Sequence, residues 1–337
     1  MPNYRALAMK TVSLHKRLLS ACFVAFAVSA ASWPALAQSK YPDHPVRFVI
    51  PFAAGGVADS TARVVAEKLS DKLGQRFVVE NQPGAGGITA ARTVLSAAPD
   101  GYTVIMFTNG TAVSVSLFEK LPFDPVKDFT PVSSLAFFDF TLVTSASSGF
   151  KTLADFVAAA KAKPGTLNVG TINVGSTQNL SAELFKTAAG IDFTLVPFRG
   201  NHEAEVALLQ GNVSLVIDSY SVLQGNIIDG KLRALASSGA TRGESTPDLA
   251  TVQEAGVSNY DVVSWNAMFA RTGTPPEVIK TLNGALRDIL GDPEIKKKML
   301  SLGIEAKAGA PDEIGERLKS DIVKWRAVIE KANIPKQ

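Results

Sequence analysis

Short apolar runs alternate with helical patterns along most of this 337-residue chain. The first series comprises strands at 46–52, 76–80 and 102–108 and helices at 58–74 and 88–98. Strands that are separated in sequence by helices pair in parallel through right-handed crossovers. The alternation therefore predicts an α/β fold.

The alternation restarts after residues 120–132, a proline-rich stretch with no steady period. The second series comprises strands at 137–145, 167–171, 193–198, 213–219 and 232–238, with helices at 152–163, 179–189 and 202–210. A strand lies near 262, and beyond Pro275 the chain is expected to be helical, with helices at 274–290 and 311–332. We predict two lobes, each a mainly parallel sheet flanked by helices, with a ligand cleft between them. The first lobe comprises 38–139 and 260–337, and the second 140–259.

The N-terminal 37 residues have the pattern of an export signal. Four basic residues within the first 17 precede an apolar stretch, and the sequence ALA follows at 35–37. The apolar stretch is shorter than the ~20 residues that span a bilayer, which favours a cleaved signal over a membrane anchor. We expect the mature chain to begin near Gln38.

Charge and cysteine content exclude several classes of function. Cleavage would remove four of the 34 basic residues and none of the 31 acidic ones, so the mature charge is near minus one. That excludes a nucleic-acid surface built on general basicity. The only cysteine, Cys22, lies in the leader, where LSAC at 19–22 is similar to a lipoprotein box. The apolar stretch follows Cys22 instead of preceding it, so we interpret the match as incidental and expect no cysteine metal site.

Two glycine-rich segments each lie between a predicted strand and the next helix. The first bend is PFAAGG at 51–56, and the second bend is NQPGAGG at 81–87. A dinucleotide fingerprint needs G-x-G-x-x-G with an acidic residue about 20 positions later, and the second bend has neither. A P-loop needs Gly-Lys-Ser/Thr, and neither bend contains a lysine.

The composition of the bends suits a carboxylate instead. Glycine lets the backbone approach a ligand, and the first N–H groups of a helix point at it with partial positive charge. The alternative is that the glycines only make tight turns. Two matching bends at successive strand ends favour an anion site.

Further segments occur in a characteristic order: YPDHPVRFVIPFAAGGVAD, VVENQPGAGG, APDGYTV, LPFDPVKDFTPV, ELFKTAAG, GKLRALA, TVQEAGV and GTPPEVI. Together they resemble the Bug/TctC family of periplasmic solute-binding receptors for tripartite tricarboxylate transporters, from about Tyr41 to Trp325. The resemblance implies a two-lobed periplasmic binding protein of the type II-like class. Such a receptor closes around a carboxylated metabolite and presents it to a membrane permease. The resemblance implies no catalysis, and we expect a monomer without cofactor or metal.

The resemblance also assigns binding residues by position. The first bend and its helix contribute Phe52, Gly55, Gly56, Val57 and Asp59, the second bend contributes Asn81, Gly86 and Gly87, and the third strand ends at Thr108 and Asn109. The second lobe contributes Thr171, Ser176, Thr177, Gln178, Phe198, Arg199, Asp218 and Ser219. The two bends are expected to hold one ligand carboxylate, partly through ordered water.

Some of these residues are equally suited to a purely structural role. Asp59, Thr177 and Gln178 are residues that can cap a helix. Asp218 repels an anionic ligand unless it binds an amine, a hydroxyl or a backbone donor. Arg199, by contrast, is suited to clasping a distal carboxylate.

The segment 197–211 departs from the family pattern at His202, Glu203 and Glu205. We expect these three on the solvated face of a helix; if they face the cleft, the ligand carries an amine or hydroxyl. Three aromatic residues, Phe137, Phe138 and Phe140, are expected in an ordinary strand core.

An enzyme is the rival class. After cleavage only His44 and His202 remain as histidines, and no Gly-x-Ser-x-Gly elbow is present. The sequence also has no cluster of metal-ligating residues, so it does not indicate a metal-dependent enzyme. A ligand-sensing protein that signals through a membrane partner stays open, since it would use the same cleft.

Overall fold

The computed structural model describes residues 41–337, so the predicted leader and its cleavage site lie outside the described residues. The strands are β1 (Val46–Ile50), β2 (Phe77–Asn81), β3 (Thr103–Thr108), β4 (Phe129–Ser145), β5 (Asn168–Ile172), β6 (Thr194–Phe198), β7 (Leu215–Ser219), β8 (Leu232–Ser237), β9 (Val263–Arg271) and β10 (Glu305–Ala306). The helices are α1 (Val57–Leu73), α2 (Ile88–Ser96), α3 (Asn109–Leu117), α4 (Leu153–Ala162), α5 (Thr177–Ala189), α6 (Asn201–Leu209), α7 (Tyr220–Ile228), α8 (Pro276–Gly291), α9 (Pro293–Leu300) and α10 (Pro311–Lys331).

The strands form one continuous set in the order β2-β1-β3-β9-β4-β7-β5-β6, with β8 and β10 also paired to β4. The predicted parallel pairing is confirmed where strands alternate with helices: β1 pairs in parallel with β2 and β3, and β5 with β6 and β7. By contrast, β9 runs antiparallel to β3 and β4.

The long strand β4 joins two groups of strands. Its N-terminal part pairs with β9 as far as Asp139, opposite Val263, and the next residue, Phe140, already pairs with Ser219 of β7. We call β1, β2, β3, β9 and β10 the first sheet half, and β5 to β8 the second sheet half. The chain thus changes from one half to the other between two consecutive residues.

The sequence-based prediction of β4 was wrong at its N-terminal end, because it placed the proline-rich segment up to 132 outside any strand. The strand begins at Phe129, and Pro131 lies where the register with β9 shifts. A proline without an N–H is tolerated at such an irregularity. Two helices, α3 and α7, were also not predicted; α3 is buried on most sides and therefore has no clear apolar period.

The C-terminal helix α10 is attached to strand β9 and to helix α3 by two tryptophan contacts. Trp265 of β9 donates its indole N–H to Asp321 of α10 at 2.7 Å. Trp325 of α10 donates its own to the Asn109 side chain at 2.6 Å. Both rings are buried, so α10 is packed firmly against the first sheet half.

Candidate ligand-binding site

Two adjoining cavities lie at the C-terminal ends of the parallel strands. The helix-start cavity has a volume of about 340 Å³ and is lined by Phe52, Gly56, Val57, Ala58, Thr108, Gly110, Phe138, Phe140, Ile172, Asn173, Ser176, Thr177, Gln178, Asn201, Ser219, Val222, Ser264 and Asn266. The glycine-bend cavity has a volume of about 640 Å³ and is lined by Pro51, Phe52, Gly84, Ala85, Gly86, Gly87, Thr108, Gly110, Thr111, Ser114, Leu117, Phe118, Asn173, Val174, Gly175, Ser176 and Gln337. The two share Phe52, Thr108, Gly110, Asn173 and Ser176.

Five helices begin at the helix-start cavity. Strands β1, β3, β5, β6 and β7 are each followed directly by a helix, α1, α3, α5, α6 and α7 respectively. A residue at the start of each of these helices lines the cavity. Because the N-terminus of a helix carries partial positive charge, a helix start can favour an anion here without a cationic side chain.

Side chains cap α3 and α5, whereas α1, α6 and α7 have no side-chain cap, and of these α1 lines the cavity with three consecutive residues at its start, 56–58. The N-cap of α1 is Gly56, with no side-chain cap. Thr108 caps α3 by accepting from Gly110 N at 3.1 Å, and Ser176 caps α5 by accepting from Asn179 N at 3.1 Å. The first N–H groups of α1 are therefore open to a ligand. The capping role for which Asp59, Thr177 and Gln178 are suited does not occur.

Asp59 stabilises the first bend and lines neither cavity. Its carboxylate accepts from Gly55 N at 3.0 Å, from Arg63 Nε at 2.9 Å and from Asn81 Nδ2 at 3.0 Å. Asn81 also donates to the carbonyl of Phe52 at 3.0 Å. The Arg63 guanidinium, helped by these amide donors, lowers the pKa of Asp59 to about 2 against the penalty of burial. Asp59 is thus ionised and paired, and Asn81 links it to the bend.

The second bend forms a tight turn at the other cavity. Gly86 and Gly87 both have left-handed backbone, with φ of 63° and 68°, and Gly87 N bonds to Gly84 O at 3.1 Å. A Cβ at Gly86 would lie 2.9 Å from Cε2 of Phe118. Both the conformation and the close ring require glycine here.

In the second sheet half, Asp218 is a buried acceptor, 1% exposed. It accepts from Ser219 N at 2.7 Å, from Asn201 Nδ2 at 2.5 Å and from Gln178 Nε2 at 3.2 Å. Burial raises the pKa of Asp218, while these hydrogen bonds oppose the rise. Among the described residues no Lys, Arg or His forms an ion pair with it. Asp218 therefore holds two amides that line the helix-start cavity.

One wall of the helix-start cavity is apolar. It is formed by Phe52, Phe138, Phe140, Ile172 and Val222. Phe138 and Phe140 meet edge to face with centroids 6.0 Å apart. Phe140 belongs to the core, as expected, yet both rings also line the cavity; Phe137 does not, and lies under Lys307 instead.

Other residues proposed from the resemblance lie outside both linings. Asn109 is turned to Trp325, Thr171 accepts from Asn179 at 3.2 Å, and Phe198 packs on α6. Gly55 is exposed at the first bend. Arg199 is exposed, and its guanidinium has no hydrogen-bond or ion-pair partner among residues 41–337.

The expectation of a solvated face holds for two of the three unusual residues of α6. The side chain of His202 is 88% exposed, and Glu203 is exposed and accepts from Arg199 N at 3.2 Å. It was wrong for Glu205, which is buried and accepts from Asn226 Nδ2 at 2.8 Å. None of the three lines a cavity.

Sequence reasoning missed four polar residues of the helix-start cavity: Asn173, Asn201, Ser264 and Asn266. Asn201 had a usable signal, since it follows a strand and Gly200 at a predicted helix start. Ser264 and Asn266 are polar positions inside the buried strand β9. A polar residue in such a strand is a signal in itself.

Within the described chain, Lys, Arg, His, Asp and Glu line neither cavity. No group of metal-ligating side chains was found in residues 41–337. No helix in that part of the chain is long and apolar enough to cross a bilayer. The site offers backbone N–H groups, hydroxyls, amides and an apolar wall.

Comparison with known proteins gives the family. Residues 61–334 match the family described as "Tripartite tricarboxylate transporter family receptor". An adipate-bound protein of R. palustris superposes with a TM-score of 0.80 at 34% identity, over 88% of this chain and 100% of its own. The periplasmic binding protein BugD gives 0.76 at 29% identity over 88% and 100%. MatC from Rhodopseudomonas palustris, with bound malate, gives 0.74 at 33% identity over 86% and 100%.

A two-lobed α/β fold with a ligand cleft, as predicted, is confirmed by these neighbours. The chain belongs to the tripartite tricarboxylate transporter receptor family. The resemblance to Bug and TctC proteins is likewise confirmed, and with it a solute-binding rather than an enzymatic role.

Proposed function

We propose that this protein is a periplasmic receptor that binds a small carboxylated metabolite in the helix-start cavity and delivers it to a permease of the tripartite tricarboxylate type. The observation that carries the proposal is the open start of α1, where Gly56 leaves the first N–H groups uncapped beside the cavity. The adipate and malate bound by two relatives support a carboxylate as the ligand.

In this arrangement α1 receives the carboxylate. Thr108 lines the same cavity with a hydroxyl that can donate, whereas the Ser176 hydroxyl already donates to the carbonyl of Ile172. Ordered water can bridge to groups out of direct reach. An anion at a helix start gains about 0.3–2 kcal/mol, whereas micromolar affinity corresponds to about 8 kcal/mol. Most of the remaining affinity must come from further hydrogen bonds and the apolar wall.

Closure of two lobes over the ligand would bury it. We propose the lobes at 38–139 with 260–337 and at 140–259, because β4 changes sheet half between Asp139 and Phe140. We further propose a monomer that is exported with residues 1–37 as a cleaved signal. N-terminal sequencing and light scattering of the periplasmic protein test these two points.

Gly56→Asp is the sharpest test of the ligand site. Gly56 has extended backbone, and a Cβ there meets nothing within 4 Å, so the variant should fold. The new carboxylate would cap α1, adding a few tenths of a kcal/mol of stability, and would occupy the place of the ligand carboxylate. We expect carboxylate affinity to fall about 100-fold or more in calorimetry.

Gly56→Ala serves as the matched control, because it adds volume at the same position without charge and should weaken binding much less. Unchanged affinity in Gly56→Asp would remove α1 as the anion site.

A ligand panel tests the function as a whole. The shift in melting temperature would be measured with butyrate, hexanoate and benzoate skeletons, each as the monocarboxylate, the terminal hydroxy acid, the terminal amino acid and the dicarboxylate. At least one should stabilise the protein, since ligand binding to the folded state raises its stability. If none does, binding of a small carboxylate is the wrong proposal. Loss of uptake of that ligand on deletion of the gene tests delivery to a permease.

A further inference from the structure

The side chains of Gln178 and Asn201 form a pair of amides on the second-half wall of the helix-start cavity. Gln178 Nε2 lies 3.2 Å from one oxygen of Asp218, and Asn201 Nδ2 lies 2.5 Å from the other. Both residues line the cavity, while Asp218 is buried behind them. One carboxylate thus sets the orientation of both amides.

That orientation follows from hydrogen-bond chemistry. In both contacts the amide nitrogen faces Asp218, and because an amide nitrogen only donates, each amide turns its NH₂ group toward Asp218 and its oxygen away from it. Neither amide oxygen has a hydrogen-bond partner among residues 41–337. The wall therefore presents two acceptor oxygens toward the cavity that these residues line.

The carboxyl groups buried near these two amides also disfavour an anion at this wall. Asp218 has no cationic partner in the described chain, and Glu205, also buried, adds negative potential to it. Among the described residues no Lys, Arg or His lines the cavity to balance these carboxyl groups. A second ligand carboxylate placed against these amides would meet oxygens that cannot donate to it, whereas a hydroxyl or amino group would meet hydrogen-bond partners.

We propose that the ligand carries, at the end opposite its carboxylate, a hydroxyl or amino group that donates to Gln178 and Asn201, and that Asp218 is the positioning residue that selects this group against a second carboxylate. An apolar middle would lie against Phe138 and Phe140. The inference rests on the proposed function, because α1 is taken to hold the carboxylate.

The same panel of acids tests this on the unaltered protein. On the skeleton that gives the largest melting shift, calorimetry should give a Kd at least tenfold lower for the hydroxy or the amino acid than for both the plain monocarboxylate and the dicarboxylate. With six carbons the probes are 6-hydroxyhexanoate, 6-aminohexanoate, hexanoate and adipate. A dicarboxylate that binds as tightly as either donor form overturns this inference and leaves the proposed function standing.

Asp218→Asn supplies a readout that a merely structural role would not give. The new amide NH₂ would face Asn201, so the Asn201 amide must turn over and present its own NH₂ to the cavity. We expect the preference to reverse, with the dicarboxylate bound at least tenfold more tightly than the hydroxy acid. Asp192→Asn removes the same charge at an exposed site and should leave the preference unchanged.

Retention of the original preference in a folded Asp218→Asn variant would show that Asp218 does not set it. If that variant does not fold, Gln178→Leu removes one acceptor without touching the buried carboxylate. It should reduce the advantage of the hydroxy acid over the monocarboxylate about tenfold. An unchanged advantage in that variant overturns the assignment.

Discussion

The two glycine bends have similar sequences but different roles in the structure. In the first bend Gly56 is extended, has open space around it and leaves the start of α1 uncapped. In the second bend Gly86 and Gly87 are left-handed and the turn packs against Phe118. Left-handed Gly55, with φ of 95°, shows that glycine serves the turn in both bends, and only in the first does a second glycine, Gly56, also leave a helix start open, so bend composition alone does not identify an anion site.

The largest expected effect that separates the bends is on stability. Gly86→Ala forces a left-handed alanine and a Cβ 2.9 Å from the Phe118 ring. We expect the free energy of unfolding to fall by about 2 kcal/mol. Urea denaturation measures it.

Gly56→Ala is the matched comparison, and we expect its stability to stay within about 0.5 kcal/mol of the original. Equal losses in the two variants would mean that both glycines serve the turn. A Phe118→Leu substitution should recover part of the loss in Gly86→Ala, because it removes the crowded ring but not the backbone strain.

The paired pattern of strands and helices could be predicted because each element has a strong period and clear end signals. Helix α7 could not, since it has little amphipathic pattern and a glycine at 225. The first part of β4 was hidden by Pro131, which only a register shift accommodates. Neither the position of α7 nor the register shift at Pro131 can be predicted from the local sequence.

The sequence likewise predicted part of the site, namely several of the residues that line the helix-start cavity. Residues at strand ends, such as Val57, Gln178 and Ser219, do line the helix-start cavity, because parallel strands place their C-terminal ends together. Which way a polar side chain turns was not predictable. Asn109 turns to Trp325 and Asp218 turns to two amides, and both outcomes depend on residues distant in sequence.

A smaller effect on stability is expected from Asp59, which supports the first bend. Its lowered folded-state pKa of about 2 lies below the unfolded value of 3.8, so ionisation stabilises the fold above about pH 4 and that contribution is lost as pH falls toward 2. Arg63 is half exposed, so solvent screening limits the contribution to about 1 kcal/mol.

Asp59→Asn should therefore lose about 1 kcal/mol at pH 7, and its difference from the unaltered protein should shrink between pH 4 and pH 2 in thermal melts. Ligand affinity should fall about tenfold, since Gly55 and Asn81 hold the bend through this carboxylate. A stability difference that is constant with pH would mean that charge at Asp59 does not matter.

The smallest effect on stability is expected from the hydrogen bond between Gln82 and Thr93, which supports the second bend. Gln82 accepts from Thr93 Oγ1 at 2.6 Å and lines neither cavity. Gln82→Ala should cost about 0.5–1 kcal/mol of stability and leave ligand affinity unchanged. Thr93→Ala, and the double variant, separate this hydrogen bond from other effects of shortening the side chain. A tenfold loss of affinity in Gln82→Ala would instead place the carboxylate at the second bend, because a turn without ligand contact cannot transmit so small a change to the site.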